Sequence, residues 1–425
     1  MRADMKTRPR GLPLDSSAII HLAVIRRGYT NSFRLSATLT DVICPQTLQK
    51  AVDVIAPRFP TIVAGIRHNI FQYIVVPAES APKICLEQNC LAEMSKPMIE
   101  TCAMRILYSD KRISVEIFHS LTDGYGGMMF FNALLAEYLC RKQQISRETA
   151  DSFQCFNVCP TVLEADDYLT YAGEKTLALN HQNVYKLPGG VNPEQQTKIV
   201  TGIYDTQKLL DEAHRLEVSL TTFLAAIMAA AILEMQRQAG KTQCTLPLQI
   251  IVPVNLRKRF SSQTLRNFSL YALPCIMPTQ KEMPFEQILN SISVQLKEQL
   301  SQENLAAMIT TNVKLQKLPI LRFIPLCIKN FFLRIGFHFC GERNSCLSIS
   351  NLGEITYSPE MAQYVEHIEF SLTPRRNAPY NCGVASYNDK LAISFTKKGN
   401  EVGLEWYFFK CLSDRGFQMK MKLEN

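Results

Sequence analysis

Segments with a strand pattern alternate with segments with a helix pattern along almost the whole chain, and this alternation most restricts its fold. In the first part, the strand candidate Ser32–Leu39 is followed by the helix candidate Pro45–Ile55, whose first residue suits an opening turn. Residues 104–108 and Arg112–Phe118 are predicted strands joined by a turn, and an apolar helix is predicted at about 128–140. The pattern predicts an α/β fold.

The alternation is interrupted once, by residues 179–198, which are rich in Asn, Gln, Pro and Gly and show no period. We interpret this stretch as a linker between two domains, residues 1–178 and 199–425. The predicted elements of the second domain are helices at 223–238 and 284–302 and strands at 248–254, 346–349, 384–387, 391–396 and 404–408. Because residues 248–254 are almost wholly apolar, we expect them at the centre of a sheet.

Size and composition agree with two globular domains and exclude several other classes. The 425 residues are 47% hydrophobic and 20% charged, which allows a large core. The net charge of +8 is spread along the chain, which suits an anionic ligand or surface but not nucleic acid. The polar, basic residues 1–15 precede no signal-type apolar segment, and the fourteen cysteines include no Cys-x-x-Cys. We therefore expect reduced thiols and a cytoplasmic protein.

His119 is the candidate catalytic residue. Alternate apolar residues of the predicted strand Arg112–Phe118 set a period of two, which places His119 on the same, core-facing side. An imidazole shielded there, with an ordinary pKa near ~6.5, suits proton transfer at neutral pH. Gly124, Gly126 and Gly127 follow closely, and we expect them to leave room for a substrate.

Each of these residues also has a purely structural interpretation. A histidine after a strand is commonly packed and hydrogen-bonded, and Asp123, before a glycine-rich turn, is placed as a helix cap. The glycines would then only permit the turn. The chain has no Gly-x-Ser-x-Gly, Walker A or Gly-x-Gly-x-x-Gly sequence, and no histidine pairs with an acid at i, i+4 on a predicted helix. We therefore expect no hydrolase triad and no metal centre.

The sequence His119-Ser-Leu-Thr-Asp123-Gly124 resembles the His-x-x-x-Asp-Gly motif of the coenzyme A-dependent acyltransferase superfamily. This superfamily includes chloramphenicol acetyltransferase, the condensation domains of peptide synthetases, the mycobacterial polyketide-associated acyltransferases and the alcohol acetyltransferases. Residues 251–257 are similar to the superfamily's second-domain strand that ends in an arginine, and residues 348–353 to its late Ser-Asn-x-Gly turn. Order and spacing match over nearly the whole chain, and the alcohol acetyltransferase branch fits best.

The resemblance implies a two-domain chloramphenicol acetyltransferase-like α/β fold, with a mixed sheet flanked by helices in each half and an active-site tunnel between the halves. It implies that His119 Nε2 takes the acceptor's proton while the acceptor attacks a thioester, and then returns the proton to the departing thiolate. No acyl-enzyme forms in this mechanism. Asp123 is then structural, in a buried ion pair for which Arg257 is the expected partner.

The tetrahedral oxyanion of such a reaction requires a hydrogen-bond donor. The candidates are the backbone N–H of Gly124 and the side chains of Ser350 and Asn351. For the last two, an equally open interpretation is a turn that shapes the contact between the halves. Phe118 stands where condensation domains carry a second histidine, which argues against amide-forming condensation.

The segment 315–340 is the second unusual feature, because it combines Leu, Ile and Phe with basic residues and few neutral polar ones. One interpretation is an interfacial helix on a membrane or beside a lipid-like acceptor. The other, which we favour, is an apolar element packed on its domain with its basic side chains directed outward. The longest apolar run, 223–233, falls short of the roughly 20 residues that cross a bilayer.

The sequence thus predicts an enzyme that transfers an acyl group from acyl-coenzyme A, as co-substrate, to a small or lipid-like alcohol. We expect a monomer with no bound cofactor or metal and no nucleic-acid partner, and peripheral membrane contact is not favoured. One alternative is a condensation-like acyltransferase that takes its acyl group from a carrier-protein thioester and passes it to an amine or alcohol. The other is a catalytically silent scaffold or lipid-binding member of the superfamily.

Overall fold

A computed structural model describes most of the chain. The described residues are 11–15, 17–23, 25, 31–87, 91, 93–150, 165–177, 182–189, 195–240, 246–277, 282–316, 323–337, 345–375, 378–399 and 403–424. Of the predicted linker, residues 182–189 lie without helix or strand, and most of the remainder falls outside the described residues. The described part is built on three sheets, of three, eight and five strands.

The strands, numbered in chain order, are Leu12–Pro13 (β1), Ser32–Leu39 (β2), Ala64–His68 (β3), Tyr73–Pro77 (β4), Ile84–Leu86 (β5), Met104–Ser109 (β6), Arg112–Phe118 (β7), Thr197–Asp205 (β8), Leu248–Asn255 (β9), Ser269–Ala272 (β10), Cys275–Ile276 (β11), Leu347–Ile355 (β12), Val365–Leu372 (β13), Tyr380–Tyr387 (β14), Lys390–Lys398 (β15) and Met421–Glu424 (β16). Most of the strands predicted from the sequence are therefore present. Nine of the strands were not anticipated: β1, β3, β4, β5, β8, β10, β11, β13 and β16.

The helices, numbered in the same way, are Ile19–Ala23 (α1), Pro45–Ile55 (α2), Lys96–Thr101 (α3), Gly124–Gln143 (α4), Arg147–Ala150 (α5), Asp167–Tyr171 (α6), Thr206–Arg215 (α7), Leu220–Gln238 (α8), Arg257–Phe260 (α9), Phe285–Gln299 (α10), Gln302–Gln316 (α11), Leu326–Phe337 (α12), Pro359–Ala362 (α13) and Leu404–Ser413 (α14). The predicted helix 284–302 is thus confirmed as α10, with its end at Gln299. The short helix α9 begins at Arg257, directly after β9.

The first large sheet has the strand order β13-β2-β7-β6-β5, and its two faces differ in chemistry. On the apolar face, Phe33 pairs with Ile117, and α4 lies so close that a Cβ at Gly127 would come within 2.6 Å of Phe33. On the other face, Arg34 Nε donates to Glu116 Oε1 at 2.9 Å, and both side chains are buried. Both faces of the sheet are therefore covered at β7. The alternation in β7 separates a face of apolar residues from a face of buried polar residues, and it does not separate the core from solvent.

The second large sheet has the order β10-β9-β12-β14-β15-β8-β16, with β11 also paired to β9. It is a mixed sheet, since β12 runs parallel to β9 and β14 while the other pairs are antiparallel. Every residue of β14, at the middle of this order, is buried. Residues 248–254 lie inside the sheet as expected, because β9 pairs with β12 on one side and with β10 and β11 on the other, but β14 and not β9 is at its middle.

The strand β13 connects the two parts of the chain. It follows β12 in sequence, yet it pairs along its length with β2 of the first sheet. Its outer face lies across the second sheet: a Cβ at Gly383 of β14 would come within 2.1 Å of Phe370 O, and Thr201 Oγ1 of β8 donates to Glu369 Oε2 at 3.0 Å. The domain division at 179–198 stays a prediction, but the second part of the chain supplies an edge strand to the first sheet.

The strand predicted at residues 404–408 is wrong, because this segment is the first half of helix α14. Leu404, Phe408 and Leu412 are fully buried at a spacing of four, whereas Trp406 is 45% exposed. That spacing is the spacing of one helix face. The run of aromatic side chains favoured a strand on composition alone, and packing against α8 decided for the helix.

The helix α8 is the one helix of the described residues that is long and apolar enough to cross a membrane by length and composition. Of its apolar window, 67% is buried inside the molecule, where α10 and α14 pack against it. A buried core helix passes such a test as readily as a membrane span, so the observation is weak support for a span.

The helix α12 differs from α8, although both are apolar. Its inner side carries the buried Leu326, but Phe331 and Phe332 on its outer side are 60% and 62% exposed. The favoured interpretation of segment 315–340 as an apolar element packed on its domain is therefore wrong for this outer side. Residues 317–322 and 338–340 of that segment lie outside the described part.

Candidate active site

His119 lies directly after β7, in the turn that leads into α4. Its backbone N–H donates to Asn31 O at 2.9 Å. Its ring meets the edge of Phe33 at a centroid distance of 5.4 Å and stacks on the ring of His21 at 4.5 Å with an interplanar angle of 27°. The residue is only partly buried. The imidazole is therefore held between an aromatic ring and a second imidazole, and part of its surface stays open.

The Nδ1 atom of His119 is the start of a hydrogen-bonded chain. It lies 3.3 Å from Asn267 Oδ1, and Asn267 Nδ2 donates to Asp15 Oδ2 at 3.2 Å. The other oxygen of Asp15 accepts from the backbone N–H groups of Ser17 and Ala18, at 3.2 and 2.9 Å. Because the carboxylate accepts hydrogen bonds, the amide of Asn267 turns its oxygen toward the imidazole.

Burial shifts the ionisation of three groups of the site, His119, His21 and Asp15. It lowers the pKa of His119, and it lowers the pKa of His21 well below the usual histidine value. It raises the pKa of Asp15 to about 6. At neutral pH the two imidazoles are therefore uncharged, and the Asp15 carboxyl is ionised in most molecules.

His21 stacks on a face of the His119 ring, whereas Asn267 contacts the ring at Nδ1. Asn31 Nδ2 donates to His21 Nδ1 at 2.6 Å, so the neutral His21 carries its proton on Nε2. The backbone of the same Asn31 accepts from the His119 N–H. Asn31, which directly precedes β2, thus orients both histidines.

Asp123 is both the cap of helix α4 and one half of a buried ion pair. Its Oδ1 accepts from Gly126 N at 3.2 Å, and its Oδ2 accepts from Arg257 Nη1 at 2.8 Å and from Phe268 N at 2.9 Å. The side chains of Asp123 and Arg257 are 5% and 4% exposed. The ion pair expected from the sequence is present, and the cap interpretation also holds, so Asp123 faces the protein with both oxygens.

Arg257 joins the start of α9 to the loop that follows it. Its Nε donates to Thr264 O at 2.7 Å and its Nη2 to Arg266 O at 2.5 Å. Its guanidinium also lies 4.6 Å from the centroid of the Tyr125 ring. These bonds fix the loop in which Asn267 lies, so Arg257 acts on the His119 site through the backbone.

The glycines after Asp123 make room for protein, not for a substrate. A Cβ at Gly126 would come within 2.1 Å of Thr122 Oγ1 and 2.3 Å of Leu265 O, and a Cβ at Gly124 within 2.7 Å of the Leu352 side chain. The expectation that these glycines open the backbone to a substrate is wrong, because the loop 264–268 and β12 fill the space. Close contact between the two parts of the chain is what requires them.

Ser350 and Asn351 lie on β12, in the segment that approaches the start of α4. Asn351 Nδ2 donates to Thr221 Oγ1 at 3.1 Å, and Asn351 Oδ1 accepts from Gly353 N at 2.8 Å. The turn is completed by Gly353 at a φ of 82°. The amide of Asn351 therefore shapes the turn that brings Leu352 onto Gly124, which is the structural interpretation given above.

Four residues of the site were missed by the sequence reasoning: Asp15, His21, Asn31 and Asn267. His21 was considered only as a metal ligand, and the other three were not singled out. No repeating pattern marks them, since α1 has five residues and Asn267 lies in a loop. The nearest available signal was the short distance in sequence between Asn267 and the arginine of segment 251–257.

No protein-family model and no curated protein sequence matches the chain. Solved structures match it over nearly its whole length, with TM-scores between 0.55 and 0.61 among three of them. They define the two-domain α/β fold of the chloramphenicol acetyltransferase-like superfamily, which acetyltransferases and condensation domains share. The predicted fold class and the resemblance to this superfamily are confirmed at the level of the fold.

The particular structures are acetyltransferases and a condensation domain. The TRI101 protein of Fusarium sporotrichioides, complexed with coenzyme A and T-2, has a TM-score of 0.61 at 10% identity and covers 96% of this chain and 99% of its own. The trichothecene 15-O-acetyltransferase of the same fungus has a TM-score of 0.59 at 12% identity, with 95% and 93% covered. The starter condensation domain of rhizomide synthetase has a TM-score of 0.55 at 13% identity, with 95% and 93% covered.

Proposed function

We propose that the protein is an acyltransferase that moves an acyl group from acyl-coenzyme A to the hydroxyl of an alcohol, with His119 as the general base. The observation that carries the proposal is the hydrogen-bonded chain from His119 Nδ1 through Asn267 to Asp15. The fold supports it, because solved structures of the same fold include acetyltransferases, one of them complexed with coenzyme A.

The chain of hydrogen bonds selects one tautomer of His119. With Asp15 ionised, Asn267 presents its oxygen to Nδ1, so Nδ1 must carry the proton. The unprotonated Nε2 then has a lone pair free to accept a proton from a substrate. Since burial lowers the pKa of His119, the ring is neutral and ready to act as a base at pH 7.

The reaction follows from this tautomer. His119 Nε2 accepts the hydroxyl proton as the acceptor oxygen bonds to the thioester carbonyl carbon, and a tetrahedral oxyanion forms. When this intermediate collapses, the carbon–sulfur bond breaks and the imidazolium gives its proton to the thiolate. The transient charge on His119 is balanced by Asn267 Oδ1 and, behind it, the carboxylate of Asp15. The proton thus passes from the acceptor hydroxyl to the thiol of coenzyme A, and His119 Nε2 regains its lone pair, so the enzyme is unchanged.

The oxyanion needs a donor that the fold leaves available. Gly124 is the first residue of α4, where backbone N–H groups and the helix dipole carry partial positive charge. Asn351 is already engaged with Thr221 and the Gly353 turn. We therefore favour the Gly124 N–H, with the Ser350 hydroxyl as a second donor, over the Asn351 amide.

Release of free thiol tests the proposal. The purified protein is incubated with acetyl- and longer acyl-coenzyme A and a panel of alcohols and amines, as wild type, His119→Ala and His214→Ala. His214 lies exposed on α7, so it is a matched histidine outside the site. We expect turnover by wild type and His214→Ala, and a loss of about 10²- to 10⁴-fold for His119→Ala.

The other outcomes separate the alternatives. Turnover that survives in His119→Ala contradicts the assignment of the base. Turnover with an acyl-carrier protein but with no acyl-coenzyme A favours the condensation-like alternative, which the rhizomide synthetase likeness keeps in view. No turnover with either donor would support a silent scaffold.

A further inference from the structure

The outer side of α12 is a regular apolar stripe that faces solvent. Ile328, Phe331, Phe332 and Ile335 are 45%, 60%, 62% and 41% exposed. They follow the spacing i, i+3, i+4, i+7, which places them on one face of the helix. Such a stripe normally points into a core. Here the opposite side, with Leu326, packs on the protein, and the stripe is left outside.

The stripe is extended by neighbours from two other segments. Ile70 and Phe71, at the tip between β3 and β4, are 67% and 44% exposed, and Phe323 before α12 is 80% exposed. Hydrogen bonds hold the tip to the helix: Leu326 N donates to Ile70 O at 2.8 Å. We call this set the α12 surface; it consists of Ile70, Phe71, Phe323, Ile328, Phe331, Phe332 and Ile335.

Two basic residues of α12, Lys329 and Arg334, flank the apolar stripe. At 3.6 residues per turn, Lys329 and Arg334 lie about 110° to either side of the centre of the stripe. Lys329 Nζ donates to Phe71 O at 2.7 Å, and Arg67 of the supporting hairpin pairs with Glu79 at 3.7 Å. Long basic side chains at the borders of an apolar helix face are placed to reach the phosphates of a bilayer while the face enters its apolar part.

We propose that the α12 surface docks on an anionic phospholipid bilayer, with α12 lying in the plane of the interface. A second copy of the chain is a poorer occupant. Two copies related by a twofold axis would place the same surface on both sides and bring their basic residues together. An anionic bilayer presents negative charge to these basic residues.

Docking would place the bilayer close to His119. The helix α12 packs on α1, and α1 carries His21, whose ring stacks on His119. If the proposed function holds, the acceptor alcohol is then a lipid taken from that bilayer. This consequence rests on the proposed function, whereas the docking itself does not.

Vesicle flotation tests the docking without any need for turnover. The probes are vesicles of phosphatidylcholine alone and of phosphatidylcholine mixed with phosphatidylglycerol. The proteins are wild type, Phe331→Ser/Phe332→Ser and the control Val294→Ser/Trp406→Ser, which removes apolar surface that is 55% and 45% exposed on α10 and α14. We expect wild type and control to float with the mixed vesicles, more weakly at high salt, and the α12 variant to bind about tenfold less or worse.

Three outcomes would overturn the proposal. Wild type that stays at the bottom with mixed vesicles at low salt has no such surface. An α12 variant that floats as well as wild type shows that binding lies elsewhere. A wild-type dimer that the α12 substitutions convert to a monomer, with no flotation, shows that a second copy covers the face. An enzyme inactive in thiol release but able to float would refute the proposed function alone.

Discussion

The site around His119 and the α12 surface depart from the usual distribution of residues in opposite directions. At the site, charged groups are buried: Asp123 and Arg257 are no more than 5% exposed. On α12, large apolar groups are exposed, with Phe331 and Phe332 above one half. Soluble domains normally place both kinds of residue the other way round.

The two departures are maintained in different ways. The buried charges are stable because nearly every polar atom has a partner, as Asp123 does with three donors. The exposed rings of Phe331 and Phe332 meet each other edge to face, and with most of their surface in solvent they contribute little to folding. The first region should therefore be sensitive to single substitutions, and the second should tolerate them.

Breaking the buried ion pair should give the largest effect on stability. Asp123→Ala leaves Arg257 buried without its carboxylate and removes the acceptor for Phe268 N. We expect the free energy of unfolding in urea to fall by about 3–5 kcal/mol. The control is Glu212→Ala, which breaks a pair with Arg215 whose arginine is 67% exposed, and should cost no more than about 1 kcal/mol. Equal losses in the two variants would contradict the comparison.

The pH dependence of stability tests the second buried carboxyl, Asp15. Its pKa is about 6 in the folded protein against an ordinary value of 3.8. Between these values the folded protein keeps a proton that the unfolded chain has lost, so stability falls as the pH rises. Asp15→Asn removes this pH-dependent contribution to the free energy of unfolding. We expect its stability relative to wild type to rise by roughly 3 kcal/mol from about pH 4 to pH 7. A difference that does not change with pH would refute the shift.

Asn267→Ala should have a smaller, catalytic effect. It removes a hydrogen bond that raises the pKa of His119, and it releases the choice of tautomer. We expect kcat to fall about tenfold, equivalent to 1.4 kcal/mol, with KM unchanged. The acid limb of the pH–rate profile should move to lower pH. A fall in kcat without that movement would indicate a merely structural role; Asn304→Ala on α11 is the matched control.

The smallest effect on stability is expected on α12. Phe331→Ser/Phe332→Ser removes two exposed rings and should change the free energy of unfolding by no more than about 0.5 kcal/mol. By contrast, Phe130→Ala, at a fully buried ring that meets Phe59 edge to face, should cost about 3–5 kcal/mol. Thermal and urea unfolding of both variants measure this difference in stability. A large loss on α12 would mean that its aromatic rings are part of the fold.

Much of the fold could be predicted from periodicity alone. The strand β2, the strand β7 and the helix α2 begin and end at the predicted residues, because each is a regular run with clear breaks. The prediction for segment 404–408 was wrong because the segment is short and aromatic. Only its packing on α8 reveals the spacing of a helix. The strand β13 was not predicted for a different reason. Its partner β2 is hundreds of residues away in the sequence, so no local pattern indicated the pairing.

The residues of the site also divide into those that a local pattern indicated and those that it did not. His119, Asp123 and Arg257 were found through motifs, which are local in sequence. Asn267 reaches His119 across 148 positions, and Asp15 belongs to a segment without a period. Contacts of this kind depend on the assembled fold, so no local pattern could have indicated them. The same limit explains why the glycines were assigned to a substrate and not to the loop that fills their space.

The position of β13 also bears on how the chain is made. Ser32 at the start of β2 is hydrogen-bonded to Thr373, 341 positions later. Throughout most of translation, β2 has β7 on one side and an open edge on the other, with unpaired N–H and C=O groups that can recruit foreign strands. An amino-terminal fragment expressed alone would keep that edge permanently. Chaperone demand and aggregation should therefore be set by how quickly the ribosome delivers β13.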